Sequence, residues 1–169
     1  MIQRIKSNIW QFTFEQFGSN VYLIKLNEKN ILIDTSSSIN KSELIANLEE
    51  LGLSRKDIDV IILTHHHPDH VGGLLPFRKL KIYGSPKDFG ENLLNIKKLN
   101  IPEFQIIETP GHSKGSFCIL YEDVLFSGDT IFHHGGIGRM DLPGGSEKDM
   151  KNSLEKLKKI NFKILCPGH

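Results

Sequence analysis

Short apolar runs, separated by glycine, proline and polar clusters, recur along the whole chain. An alternating or β-branched run of about four to eight residues between turn formers marks a strand. Such runs lie at 9–14, 20–26 and 30–34, and Gly18-Ser19-Asn20 turns the first into the second. A helical pattern follows at 41–51. Asn40 is placed to cap it, Glu43 stands three positions on, Gly52 closes it, and Leu44, Leu48 and Leu51 share one face. Val60-Ile61-Ile62-Leu63 predicts a buried strand over 59–63. A short helix is expected to begin near Asp69, and Gly84-Ser85-Pro86 to open another that runs to about residue 99. Further strands are expected at 104–108, 124–126 and 162–165. Ser146-Glu147-Lys148-Asp149 reads as a capping box for a last helix that turns Met150, Leu154 and Leu157 inward. Strands first, then strands alternating with helices, describe an α/β (α+β) chain.

The polar residues that interrupt this pattern carry the chemistry. All eight histidines fall in four short clusters: His65-His66-His67-Pro68-Asp69-His70, then His112, then His133-His134, then His169. Neutral imidazole and carboxylate are ordinary ligands of zinc and other borderline divalent metals. Each cluster except the third follows an apolar run directly, as does Asp129 after Val124-Leu125-Phe126-Ser127-Gly128. Sheet-based sites are built on loops at such strand ends. Converging there, His65, His67, Asp69, His70, His112, Asp129 and His169 are too many ligands for one tetrahedral ion. Two ions sharing Asp129 and a bridging water would use them all. His133 and His134 stand in a glycine-rich loop and read as loop or pocket-rim residues. Cys166, three positions before His169, reads as a small buried hydrophobe.

Thr64 to His70 followed by Val71-Gly72-Gly73, then Thr109-Pro110-Gly111-His112-Ser113, then Phe126-Ser127-Gly128-Asp129-Thr130, and finally Pro167-Gly168-His169, resemble the metallo-β-lactamase superfamily. Within it the chain is most similar to the short glyoxalase II-like (hydroxyacylglutathione hydrolase-like) proteins, whose segment is matched by Gly135-Gly-Ile-Gly-Arg139-Met-Asp141-Leu-Pro-Gly-Gly-Ser146. The match covers essentially the whole chain. The resemblance implies an αββα four-layer sandwich. It implies one metal held by His65, His67 and His112, a second by Asp69, His70 and His169, and Asp129 bridging, with His66 outside the set. It makes Asp69 and Asp129 the candidate catalytic residues. Arg139 matches a basic position near the glutathione moiety, so it would bind substrate or else pair with Asp141. Thr64 and Ser113 are candidates to support the ligand imidazoles, with plain cap or turn roles as the alternative.

Composition narrows the rest. A chain of 169 residues is expected to form a single domain, residues 1–169, without the C-terminal helical domain that contacts glutathione in glyoxalase II proteins. Lysine plus arginine number 21 against 20 acidic residues, so no nucleic-acid footprint is expected. Two cysteines suit a reducing cytosol rather than a disulfide framework, and no apolar stretch reaches membrane-spanning length, giving a cytoplasmic expectation. His169 closes the sequence, so the ion of His65, His67 and His112 is expected to be the more securely held.

The expected activity is hydrolysis of a small acyl thioester by a hydroxide held between two divalent ions, zinc first, with iron or manganese as alternatives. A thiolate leaving group needs little protonation. Other readings are a persulfide dioxygenase-like oxidoreductase using one iron on His65, His112 and Asp129, a lactonase, and a non-enzymatic metal-binding module. The complete Asp69, His70 and His169 set and the Asp141-Leu142-Pro143-Gly144-Gly145 segment favour the hydrolase.

Overall fold

The computed structural model describes residues 1–169. Their contacts divide into two compact units, one made of Met1–Leu63 with His67–Tyr83, the other of Thr64–His66 with Gly84–His169.

The first unit is a sheet whose strands lie in sequence order: β1 (Ile2–Lys6), β2 (Ile9–Phe12), β3 (Val21–Leu26), β4 (Lys29–Ile33), β5 (Val60–Ile62) and β6 (Lys81–Gly84). β1 to β4 pair antiparallel, whereas β4 with β5 and β5 with β6 are parallel. Asn27 and Glu28, both at positive φ, turn β3 into β4 as a two-residue hairpin loop requires. Each parallel pair needs a crossover. α1 (Lys41–Glu50) supplies one, burying Leu44 and Leu48 and ending at Gly52 with φ +73. α2 (Pro68–Val71) with the 3-10 turn Gly72–Phe77 supplies the other. β5 is buried at every position, as a central parallel strand should be.

The second unit carries α3 (Pro86–Phe89), the two-residue strand β7 (Leu94–Asn95), β8 (Phe104–Glu108), β9 (Phe117–Tyr121), β10 (Val124–Gly128), α4 (Glu147–Leu157) and β11 (Ile164–Pro167). Its sheet runs β11-β10-β9-β8, antiparallel except where β10 meets β11. Leu157 of α4 packs with Ile107, Cys118 and Leu125 from three strands, and Ile131, Ile160 and Phe162 close over that cluster. Ser146 accepts the Asp149 N–H and so begins α4 at the expected residue.

Several expectations are corrected. The helix expected to run to about residue 99 stops at Phe89, because Gly90 takes φ +58 and Asn95 then caps a separate 3-10 turn over Ile96–Lys98. Asn40 occupies the cap position of α1 but makes no cap bond. Its amide donates to Gln16 O, Phe17 O and Ser36 Oγ and ties two loops together. β11 begins two residues later than expected, and Phe162 joins the cluster under α4 instead. β1, β6 and β9 had no expectation, and β7 lies inside the stretch expected to be helical. No helix is long and apolar enough to cross a membrane.

Candidate metal centre

β5 ends at Ile62, and the chain leaves it through Leu63, Thr64 and His65, all buried. Pro68 then occupies the first turn of α2, where a missing N–H costs nothing, so Asp69 and His70 stand on one short helical turn two residues beyond His67.

In the first unit His70 is fully buried, and its Nδ1 lies 2.8 Å from Oδ2 of Asp34. A carboxylate only accepts, so Nδ1 carries the proton and Nε2 is left as the lone-pair nitrogen. Asp34 follows β4 at φ +60, a backbone conformation that aspartate tolerates better than most residues. Thr35 fixes the pair by donating both its N–H and its hydroxyl to the His70 carbonyl.

In the second unit His65, His112, Asp129 and His169 come from four separate stretches. Gly111, at φ +146 and against the backbone of Met150, delivers His112 from the loop after β8. His112 Nδ1 donates to the carbonyl of Arg139 at 2.7 Å, which again leaves Nε2 as the lone-pair nitrogen. Thr64 Oγ1 lies 3.1 Å from His65 Nδ1, the supporting contact expected of it. The His65 and His112 rings meet edge to face at 4.8 Å. Asp129, one residue past β10, places Oδ2 3.5 Å from Nε2 of His112 and 3.5 Å from Nε2 of His169. Gly128 is held against Thr64 and Gly138 against Asp129 and His112, so neither position has room for a Cβ.

Three sets of side chains present ligand atoms that all lie within 4.8 Å of one another. They are His65, His67 and His112; His65, His70 and Asp129; and Asp69, His70 and His169. Two ligands at about 2.0–2.1 Å from one tetrahedral ion stand roughly 3.3–3.4 Å apart. The 3.5 Å separations around Asp129 are long for a hydrogen bond and suit side chains that share a cation. With imidazoles oriented by a carboxylate and a backbone carbonyl, the donor set fits divalent metal ions.

Other candidates fall elsewhere. His66 turns its Nδ1 to Asp88 at 3.1 Å, outside the three sets. Ser113 supports no ligand ring: its hydroxyl donates to Asp88 Oδ2. His133 and His134 are exposed in a 3-10 turn, as loop residues. Arg139 grips Asp141 with two bonds of 2.8 and 2.6 Å, and that guanidinium holds the Asp141 carboxyl down at about 2. Both cysteines are buried, and desolvation pushes the thiols up to about 11 for Cys118 and about 12 for Cys166. The pattern of histidines did not reveal Asp34, Asp88 or the Arg139 carbonyl. Asp34 carried a usable signal, since an acid directly past an apolar run is also how Asp129 was found. A backbone carbonyl carries none.

The family model described as the metallo-beta-lactamase superfamily matches residues 15–88 and 82–169. Probable metallo-hydrolase MJ0296 of Methanocaldococcus jannaschii is 41% identical over 143 residues, covering 82% of this chain and 70% of that one. A hydroxyacylglutathione hydrolase of Shewanella halifaxensis is 32% identical over 175 residues, covering 94% of this chain, which spans 60% of its length. Among solved structures, TTHA1623 in a di-iron-bound form superposes with a TM-score of 0.77 at 29% identity, over 94% of this chain and 91% of that one. A match that runs through every ligand-bearing loop, from relatives named as metallo-hydrolases, means that this chain belongs to the metallo-beta-lactamase superfamily as a metal-dependent hydrolase.

Proposed function

We propose that residues 1–169 act as one binuclear metallo-hydrolase domain that cleaves small acyl thioesters. His65, His67 and His112 would hold one cation and Asp69, His70 and His169 the other, with Asp129 as the carboxylate available to both. The observation that carries this reading is the triple grouping of ligand atoms, in which one set joins His65 and His70 to Asp129. The hydroxyacylglutathione hydrolase relatives support the thioester.

Two divalent cations in this cage would acidify a water and polarise the acyl carbonyl. The chain's own groups then have defined tasks. The Arg139 carbonyl and Asp34 keep His112 and His70 in the tautomer that offers Nε2. Asp129, 8% exposed, is placed to accept a proton from the attacking water. Both thiols are buried and pushed up to about 11 and 12, which takes them out as nucleophiles, and the proposed nucleophile is water. A departing thiolate needs no acid, and none is required of the chain. Arg139 meets an anionic substrate only in exchange for Asp141.

Protein purified without chelator is expected to contain about two equivalents of metal, zinc first and iron next, and to hydrolyse S-lactoylglutathione or a simpler acyl thioester. Asp69→Asn is expected to abolish turnover. Turnover of only the simpler ester would exclude glutathione as the carrier. One iron per chain, with sulfite formed from glutathione persulfide, would overturn the proposal.

A further inference from the structure

We infer that Asp88 is a positioning residue of the metal centre, clamping the residue after His65 and the residue after His112 to one buried carboxylate. The inference rests on the metal-ligand reading above.

Asp88 belongs to α3 and to none of the ligand motifs, and its side chain is 1% exposed. Its Oδ2 faces Nδ1 of His66 at 3.1 Å and accepts from the Ser113 hydroxyl at 2.6 Å. Its Oδ1 accepts the Gly115 N–H at 2.6 Å. Ser116 Oγ in turn accepts the Ser113 N–H at 3.1 Å and lies 2.6 Å from Ser113 Oγ, closing the loop 113–116 around the carboxylate. A Cβ on Gly115 would come within 2.6 Å of Asp88 Cγ, so glycine is what lets the loop approach this closely.

A carboxylate without water is costly unless its lone pairs are used. Here the hydrogen bonds that compensate it come from the 113–116 loop, while the His66 ring is held against the same Oδ2 at 3.1 Å. His66 directly follows His65, and Ser113 directly follows His112. The single carboxylate therefore sets the separation of the two ligand loops, whose rings stand 4.8 Å apart. Metal–ligand distances tolerate only about 0.2 Å of error. His66 thereby has a task although it is no ligand. It is the arm that reaches from the histidine motif to Asp88.

The test uses the full chain with Co2+ alone as the probe. It reads affinity by chelator competition, the visible spectrum of the bound ion, and the melting temperature of the metal-free protein. Asp88→Asn is expected to weaken Co2+ binding at the tighter site by about 10–100-fold and to alter the spectrum. His66→Ala should weaken it by a smaller factor. The double variant should lose less than the product of the two, because both act through one contact. A lower melting temperature with unchanged Co2+ affinity and spectrum would reduce Asp88 to local glue and overturn the inference. If Asp88→Asn does not fold, His66→Ala and Ser113→Ala decide: weakened Co2+ binding supports the clamp, and wild-type binding in both overturns it. A wild-type chain that takes up no metal would instead overturn the metal centre itself.

Discussion

Single residues orient the candidate ligand rings through Nδ1. Asp34 is the clearest case, because it meets two demands at once. Its backbone sits at φ +60, and its carboxylate accepts from a histidine that is fully buried. Alanine at this position leaves a buried N–H without its acceptor, at about 1–3 kcal/mol, and strains the backbone as well. Asparagine tolerates the same φ and can turn its carbonyl oxygen to Nδ1. Urea unfolding is therefore expected to show Asp34→Ala losing about 2–3 kcal/mol and Asp34→Asn less than half of that. Equal losses in the two variants would show that geometry and hydrogen bonding are not what Asp34 supplies.

At the scale of elements, the ends of strands matter more than their middles. β8 ends on Glu108, whose carboxylate gathers Lys97 at 2.6 Å and Lys87 at 2.9 Å, tying the 3-10 turn 96–98 and α3 to the sheet just before the loop of His112. The Lys97 bond first and the Lys87 bond second pull this carboxyl from 4.5 down to about 2. A folded-state value below the unfolded one gives stability that is present above about 4.5 and fades as the pH falls toward about 2. The side chains are exposed and screened, so the gain is only about 0.2–1 kcal/mol. Glu108→Gln should fall short of the wild type by that margin at neutral pH, and the difference should close across this acid window. A gap independent of pH would assign the loss to packing.

Over the whole molecule the ligand cage links folding to metal. On the proposed reading, cations bound by these side chains favour the folded chain, because the complete ligand groups exist only there. At a free metal concentration about 100 times Kd, one site adds about 2.7 kcal/mol, which for a chain of this size raises Tm by about 5–10 °C. Calorimetry with and without chelator measures the shift. An unchanged Tm would count against tight metal binding. The charge balance of 21 basic to 20 acidic residues gives the chain no large net charge with which to steer a substrate over long range.

What the sequence determined by itself was the inventory and the order of the chemistry. A hexapeptide carrying His65, His67, Asp69 and His70, and single ligands just past apolar runs, are local patterns. Strand ends and candidate metal ligands are both recognised by local composition, so the α/β class was legible and a candidate ligand set could be named. The helix read through to about residue 99 failed because Gly90 reverses the backbone within an otherwise helical pattern. Asn40 was read as a cap because short polar residues do cap, but its amide found three acceptors in loops distant in sequence. Only the tertiary structure decided which carboxylate faces which ring. His70 meets Asp34 across 36 positions, His112 meets the Arg139 carbonyl across 27, and Ser113 turns to Asp88 across 25. Such partners are chosen by three-dimensional proximity and by the need to satisfy buried polar groups, and no periodicity along the chain records either.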